Sequence, residues 1–498
     1  MSSNAYRQLE QRFARMGAIA EATGMLHWDM AAVMPEGGHD SRAEQLATLN
    51  VIGHEMLTAP EMADLLELAG DGGLDDWQRA NLHEMKRIHG HATALRPDLV
   101  EALTRARAAC EKTWRAARPA GDFALVLPQL QALLDLTRES AQAKAAKLGL
   151  SPYDALMDEF EPGARAVDID PVFADYASFL PEFLGQVLER QKQQGAAVAP
   201  KGPFSIASQK ALGERLMAAI GFDFNHGRLD TSLHPFCGGT PDDVRITTRY
   251  NEDQFADALM GVVHETGHAM YERGLPKEWR RQPVGQARGM ALHESQSLIV
   301  EMQAARSAAF CRFLSPILNE VYPGNEAAFA PDNLARFYTM VEPGFIRVSA
   351  DEVTYPAHVI LRYRLEQALI GGDLKLKDLP GAWNAGMKEL LGLTVTNDRE
   401  GCLQDIHWFD GAFGYFPCYS LGAMNAAQFF DAALRDVPEI PAAIERGDFS
   451  PLIGWLLQHV HGRGSSLTTP EIVKAATGQP LDAGIFRRHL ERRYLGQG

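Results

Sequence analysis

Long apolar runs are missing from this sequence. No stretch of its 498 residues approaches the roughly 18 consecutive apolar residues that a membrane-spanning helix needs. The opening MSSNAYRQLEQRFARMGAIAEATGMLHWDM carries charge throughout and lacks the continuous apolar core of a secretory leader. Cysteine is scarce: Cys110, Cys237, Cys311, Cys402 and Cys418 are the only five, and no two form a CxxC pair. An odd number without pairing motifs predicts buried free thiols in a reducing compartment, and argues against a cysteine metal site. These absences together predict a soluble, cytoplasmic protein. Basic charge is also in deficit, with 48 Lys and Arg against 64 Asp and Glu and a net charge of −16. Nucleic acid and anionic membrane are therefore not expected as partners, because both would be repelled. There is no internal repeat and no low-complexity tract.

What is present is apolar periodicity. Hydrophobic residues make up 46% of the chain, enough for a large core. SRAEQLATLNVIGHEMLTAPEMADLLELAG places apolar residues three or four apart and predicts a helix ending at Gly70. The same spacing recurs through DDWQRANLHEMKRIHGHATAL, PDLVEALTRARAACEKTWRAAR and FALVLPQLQALLDLTRESAQAKAAKLG. Further helices are expected over 164–192, 286–315, 331–342, 351–371 and 379–393, and after 420. QKQQGAAVAPKGPF, at 191–204, reads as a loop that joins lobes 1–195 and 196–498 of one helical body. The exception to helix is 228–250, where β-branched residues and a Gly-Gly-Thr-Pro-Asp turn predict a small antiparallel ribbon. The fold expected is mainly α, with one such ribbon.

That ribbon leads into GVVHETGHAMYERGLP. His264 and His268 are four apart, so on a helix both imidazoles leave the same face and can meet one ion. Glu265 lies beside them, placed to take a proton from water without ligating the metal. An ion there would polarise a carbonyl and acidify water, and Glu265 would act as general base.

A catalytic zinc takes three protein ligands, and this stretch supplies two. An extended motif would need Gly at 271 and His at 274, but the chain has Tyr271 and Gly274. Glu272 shares the helix face of His264, yet eight residues of helix rise roughly 12 Å, too far for one ion. It reads as a solvated surface charge, as does Glu278. The next helical segment, RGMALHESQSLIVEMQAAR, offers Glu294, with His293 as its rival. Glu294 sits among Met290, Leu292 and Leu298, so it is expected to face inward, where a carboxylate needs a partner. Glu301 reads as a surface ion pair, with a hydrogen bond to a ligand histidine as the alternative.

Glu294 follows His268 by 26 residues within HESQS, and HExxH followed by HES at that distance resembles the thermostable carboxypeptidase Taq family of metallocarboxypeptidases. Other signatures agree: His234-Pro235-Phe236, DxRxT at Asp243, Arg245 and Thr247, IRxxAD at Ile346, Arg347, Ala350 and Asp351, and GxxQDxHW at Gly401, Gln404, Asp405, His407 and Trp408. The N-terminal HWDMAAVMPEGG is similar too. The resemblance covers most of the chain. It implies one helical metallocarboxypeptidase domain over 1–498, with a deep groove beside a short sheet, similar to neurolysin and angiotensin-converting enzyme. It implies His264, His268 and Glu294 as ligands of one zinc or cobalt, and Glu265 as base. It also implies a homodimer that removes single C-terminal residues with broad specificity and handles C-terminal proline poorly.

Reading a free α-carboxylate suits arginine. Arg347 is the first choice, with an Arg347–Asp351 ion pair as its structural alternative. Arg245 shares a ribbon face with Asp243 and Thr247 and could position substrate or brace the sheet. The oxyanion needs a donor, and His407, Tyr415 and Tyr419 are candidates, with Asp405 to orient His407. Gly411, Gly414 and Gly422 suggest a mobile loop there. His234 could approach the groove or simply form a turn. A dipeptidyl carboxypeptidase or oligoendopeptidase on the same scaffold is the enzymatic alternative. A non-catalytic, metal-stabilised peptide-binding scaffold is the other.

Overall fold

The computed structural model describes residues 2–70 and 72–496. Helices dominate it, and their limits follow local chemistry. The segment expected as one helix to Gly70 breaks into His39–Thr58 and Pro60–Leu68. Pro60 lacks an N–H and pushes Ala59 into extended backbone, so the first helix cannot run through. Asp75 starts the Asp76–Thr93 helix with a reciprocal capping box to Gln78. The 164–192 region forms one helix, Ala166–Gln194. The loop after it is pinned rather than loose: Val198 and Lys201 donate backbone N–H to the side chains of Asn333 and Asn325. No helix among the described residues is long and apolar enough to cross a membrane.

The small sheet is mixed, not wholly antiparallel. Its strands are β1 (Gly227–Thr231), β2 (Phe236–Thr240) and β3 (Asp243–Thr248), in the order β1-β3-β2. β2 and β3 form the expected hairpin, with Thr240 opposite Asp243 across a two-residue turn at Pro241 and Asp242. β1 instead pairs parallel to β3, with Leu229 opposite Ile246. The reason lies in the 232–235 link, which carries the chain past the end of β3 to its far side. β1 and β2 therefore flank β3 and run opposite to one another.

Behind this sheet runs the motif helix, Ala256–Gly274. Val262 and Ala269 on one side join Leu229, Val244 and Ile246 of the sheet in a small core. Leu259, Val263 and Tyr271 join a much larger core with Leu292, Phe310 and Phe429. Each fully buried aliphatic side chain contributes about 1.5–3 kcal/mol, so apolar packing fixes this helix from two sides.

The 286–315 region is not one helix. Residues 286–289 are irregular, Met290–Leu298 is α-helix, Ile299–Ala304 is a π-turn, and a new helix begins at Ala308. Met290–Leu298 sits where the two largest cores meet: Ala291 packs into one, Leu292 and Leu298 into the other.

Candidate metal centre

Gly267, between the two motif histidines, allows the next helix to cross close by. A Cβ there would stand 2.5 Å from the backbone oxygen of Gln296. Gly422, in the Pro417–Asp436 helix, does the same from the other side, where a Cβ would fall 2.8 Å from Glu294. Gly422 is thus a helix contact rather than part of a mobile loop. Gly414 likewise presses on the backbone of Leu156 and Met157, a sign of tight packing.

These approaches bring the ligand atoms of His264, His268 and Glu294 within 4.8 Å of one another. Glu294 is half-buried and faces inward, as its apolar neighbours predict. His268 Nε2 lies 3.8 Å from a Glu294 oxygen. His293 does not join the cluster. Its Nδ1 instead meets the outer nitrogen of His268 at 2.6 Å, and its Nε2 meets Glu272 at 2.8 Å. Glu272 is therefore half-buried and paired rather than a free surface charge. Glu301 corrects the surface-pair expectation too: it is buried, it accepts from His264 Nδ1 at 2.9 Å, and it pairs with Arg306 at 2.5 Å. The π-turn that carries it is a widening often found at functional sites.

The donor set fits a divalent metal. Each motif histidine has its outer nitrogen engaged, and this leaves the inner one toward the cluster, the arrangement that orients metal-binding imidazoles. The charge balance agrees. Burial opposes protonation of His264, yet Glu301, Glu294 and Glu265 together raise it to about 10. Three carboxylates around it call for positive charge. Glu265 is itself buried, and burial, reinforced by the charge of Glu294, pushes its carboxyl up to about 7. Glu301 goes the other way: burial works against it, but Arg306 and the His264 bond hold it at about 2.

Arg347 stands across a cavity of about 300 Å³ lined also by His264, Glu294, Glu301, Tyr355 and Tyr419. It does not pair with Asp351, whose carboxylate instead accepts from the backbone N–H groups of Val353 and Thr354. Its partner is Asp405, at 2.9 Å, and its Nη1 donates to Tyr355 Oη at 2.7 Å. Arg362, fully buried, reaches the same Asp405 at 2.6 Å. Burial raises the Asp405 carboxyl, but the two guanidinium groups outweigh it and hold it well below the usual range.

Asp405 is thus committed to arginines and makes no hydrogen bond to His407. The His407 Nε2 lies 3.3 Å from Tyr419 Oη, its ring packs on Phe416, and burial pushes its pKa down to about 4. Tyr419 lies under the Arg347 guanidinium at 4.8 Å, while Tyr415 packs edge-on against Phe160 and Tyr419. Sequence reasoning missed Tyr355 and Arg362. Tyr355 was within reach, eight residues beyond Arg347; Arg362 carries no local signal, because its role depends on a partner 43 residues away.

A larger cavity, about 790 Å³, is lined by His293 and Glu272, the pair that lies behind His268. The Ser2–Ala32 helix forms one wall and β2 the other, through Cys237 and Thr240. Arg245 pairs with Asp243 at 2.6 Å and stacks 4.3 Å over Trp28. His234 is exposed in the 232–235 link. The five cysteines are unpaired, and all but Cys237 are buried.

A helical frame holding two imidazoles and a carboxylate around a buried glutamate defines a class, the metallopeptidases. Within it, the chain belongs to the carboxypeptidase Taq (M32) metallopeptidase family, whose profile matches residues 8–494. Among curated proteins it is 36% identical to thermostable carboxypeptidase 1 of Thermus thermophilus and 33% identical to carboxypeptidase 1 of Bacillus subtilis. These alignments cover 98% and 96% of both chains, respectively. Among solved structures it superposes on Trypanosoma cruzi metallocarboxypeptidase 1 with a TM-score of 0.97 at 43% identity, covering 99% of each chain. An M32 carboxypeptidase of Deinococcus radiodurans gives 0.93 at 32% identity, again over 99% of each. The chain is a metallocarboxypeptidase.

Proposed function

We propose that this enzyme releases single C-terminal residues from peptides, with broad specificity and little activity at C-terminal proline, using one divalent ion held by His264, His268 and Glu294. Zinc suits two imidazoles and a carboxylate best, and cobalt is the second choice. Such an ion supplies Lewis acidity toward a peptide carbonyl and acidifies a water. Glu265 takes the proton of that water and passes it to the leaving amine. Arg347 reads the free carboxylate. It is pre-organised by Asp405 and Tyr355, and its positive charge is permanent. Tyr419 faces the same cavity and is favoured over Tyr415 as the donor toward the developing oxyanion, with His407 behind it. Arg245, locked to Asp243 and Trp28, braces the sheet, and His234 marks the margin of the groove. The family resemblance extends this reading to a cytoplasmic homodimer acting on peptides, without nucleic-acid or membrane partners.

One observation carries the proposal. The cavity beside Glu294 has a buried arginine, Arg347, in its wall. A permanent positive charge there suits the carboxylate that ends a peptide, which an oligoendopeptidase has no need to read. A dipeptidyl carboxypeptidase is separated from this reading by the size of the released product.

The test is a time course of peptide masses with the zinc-loaded enzyme. Stepwise loss of single C-terminal residues, stopped by a chelator, is expected. Arg347→Ala should lose activity on free C-termini and leave any residual cleavage of amidated ones unchanged. Internal cleavage by the wild type, or equal losses on both substrates, would refute the reading.

A further inference from the structure

The helix that carries Glu294 begins without a cap of its own. Its N-cap residue is Gly289, which has no side chain to satisfy the first N–H groups of Met290–Leu298. The acceptors come from a turn 130 residues earlier. Phe160 O accepts from Met290 N at 2.8 Å, and Glu161 Oε2 accepts from Ala291 N at 2.7 Å. The Leu292 N–H adds to the favourable field on the Glu161 carboxylate. The other carboxylate oxygen of Glu161 accepts from Thr469 Oγ1. Glu161 is only 4% exposed. The nearby Arg288 is committed elsewhere, pairing with Glu84 at 2.9 Å. The positive end of the helix is thus a principal partner of a buried carboxylate.

The fit is close. A Cβ at Gly289 would lie 2.6 Å from Glu161 Oε2, so glycine is needed there for contact with Glu161 rather than for backbone freedom. The turn itself is anchored. Asp158 accepts from Gly163 N at 2.9 Å and meets His91 at 3.0 Å and Arg87 at 3.4 Å. Phe160 also packs edge-on against Tyr415 at 5.0 Å. One turn therefore touches both the helix of a metal ligand and the aromatic cluster across the cleft.

We propose that Glu161 is a positioning residue for the metal centre: by capping the Met290–Leu298 helix it fixes the depth and rotation at which Glu294 meets the two histidines. Glu294 lies three residues, less than one helical turn, beyond the capped Ala291 N–H. Gly422 confines it from the side, so the cap sets the remaining degree of freedom along the helix axis. This rests on Glu294 being a ligand.

The experiment measures the zinc dissociation constant by competition with a chromophoric chelator, together with kcat and KM, on full-length protein. Glu161→Ala should weaken zinc binding by about 10–100-fold, the range seen when a partner of a ligand is removed, and lower kcat with little change in KM. Glu161→Gln keeps one acceptor and should recover most of both. Gly289→Ala, which pushes Glu161 away without deleting it, should match Glu161→Ala. A folded Glu161→Ala protein with unchanged zinc affinity would overturn the proposal. If that variant does not fold, unchanged affinity in Gly289→Ala overturns it equally. Glu294→Gln serves as the separate control: wild-type zinc affinity there would refute the ligand reading and not the capping contact.

Discussion

The two sides of the cleft around Glu294 are built by different means. On one side, His264, Glu265 and His268 come from a single turn of helix, and Glu294 and Glu301 come from the next long segment. On the other side, Arg347 comes from a short turn, Tyr355 and Arg362 from the helix after it, Asp405 from a loop and Tyr419 from the Pro417–Asp436 helix, four separate elements. The first side is held chiefly by apolar packing of helices that cross at glycines. The second is held by one carboxylate between two buried guanidinium groups. A spacing rule can describe the first. The second exists only once the chain has folded.

Mutation separates the two sides, and the largest effect is expected on the metal side. Glu294→Gln should strip the ion and take peptide cleavage to background, as read by metal analysis and turnover on the same sample. Retained metal at one per chain would move the third ligand elsewhere.

On the arginine side the large effect is on stability. Asp405→Asn leaves Arg347 and Arg362 buried without their shared counter-charge. Breaking such a pair costs about 3–5 kcal/mol, which denaturant unfolding would show, while zinc affinity should change little. A stability loss near zero would mean that water or another carboxylate replaces Asp405.

A smaller effect returns to the metal side. Glu301→Gln should weaken zinc binding by about 10–100-fold without abolishing it, because His264 keeps its ring but loses its charged anchor. A chelator competition assay reads this directly.

The smallest effect concerns acid. Asp405 sits well below the ordinary carboxylate range when folded, after burial is outweighed by Arg362 and Arg347. A depressed folded value gives stability that is complete above the unfolded value near 4 and is lost as pH falls through the folded one. The wild type should therefore lose stability steeply below about pH 4, and Asp405→Asn should lose less over that window. Parallel profiles would detach Asp405 from acid unfolding.

How much of this was legible follows the same division. The i, i+4 histidines share one helix face by geometry alone, and the inward glutamate follows from its apolar neighbours. Apolar periodicity located most helices, because burial and the helical repeat are both local. The sheet's parallel pair escaped, since nothing in β1 says on which side of β3 it lies. The π-turn escaped as well, because its i+5 bonding leaves the same apolar composition as an α-helix. Asp405 was seen as a functional residue but given the wrong partner. The side chain beside it in sequence was His407, and the ones beside it in space are Arg347 and Arg362. Glu272 was read as a surface charge, and Glu301 first as a surface ion pair and only second as the partner of a histidine that it is, because charged residues are mostly exposed.

The role proposed for Glu265 is chemistry at a metal held by its neighbours. It is tested most directly by measuring metal content and single-turnover cleavage of an unblocked peptide on one preparation of Glu265→Gln. One metal per chain is expected, with a rate lower by about 10²–10⁴-fold, the contribution of a positioned general base. Cleavage at the wild-type rate with the metal bound would contradict it.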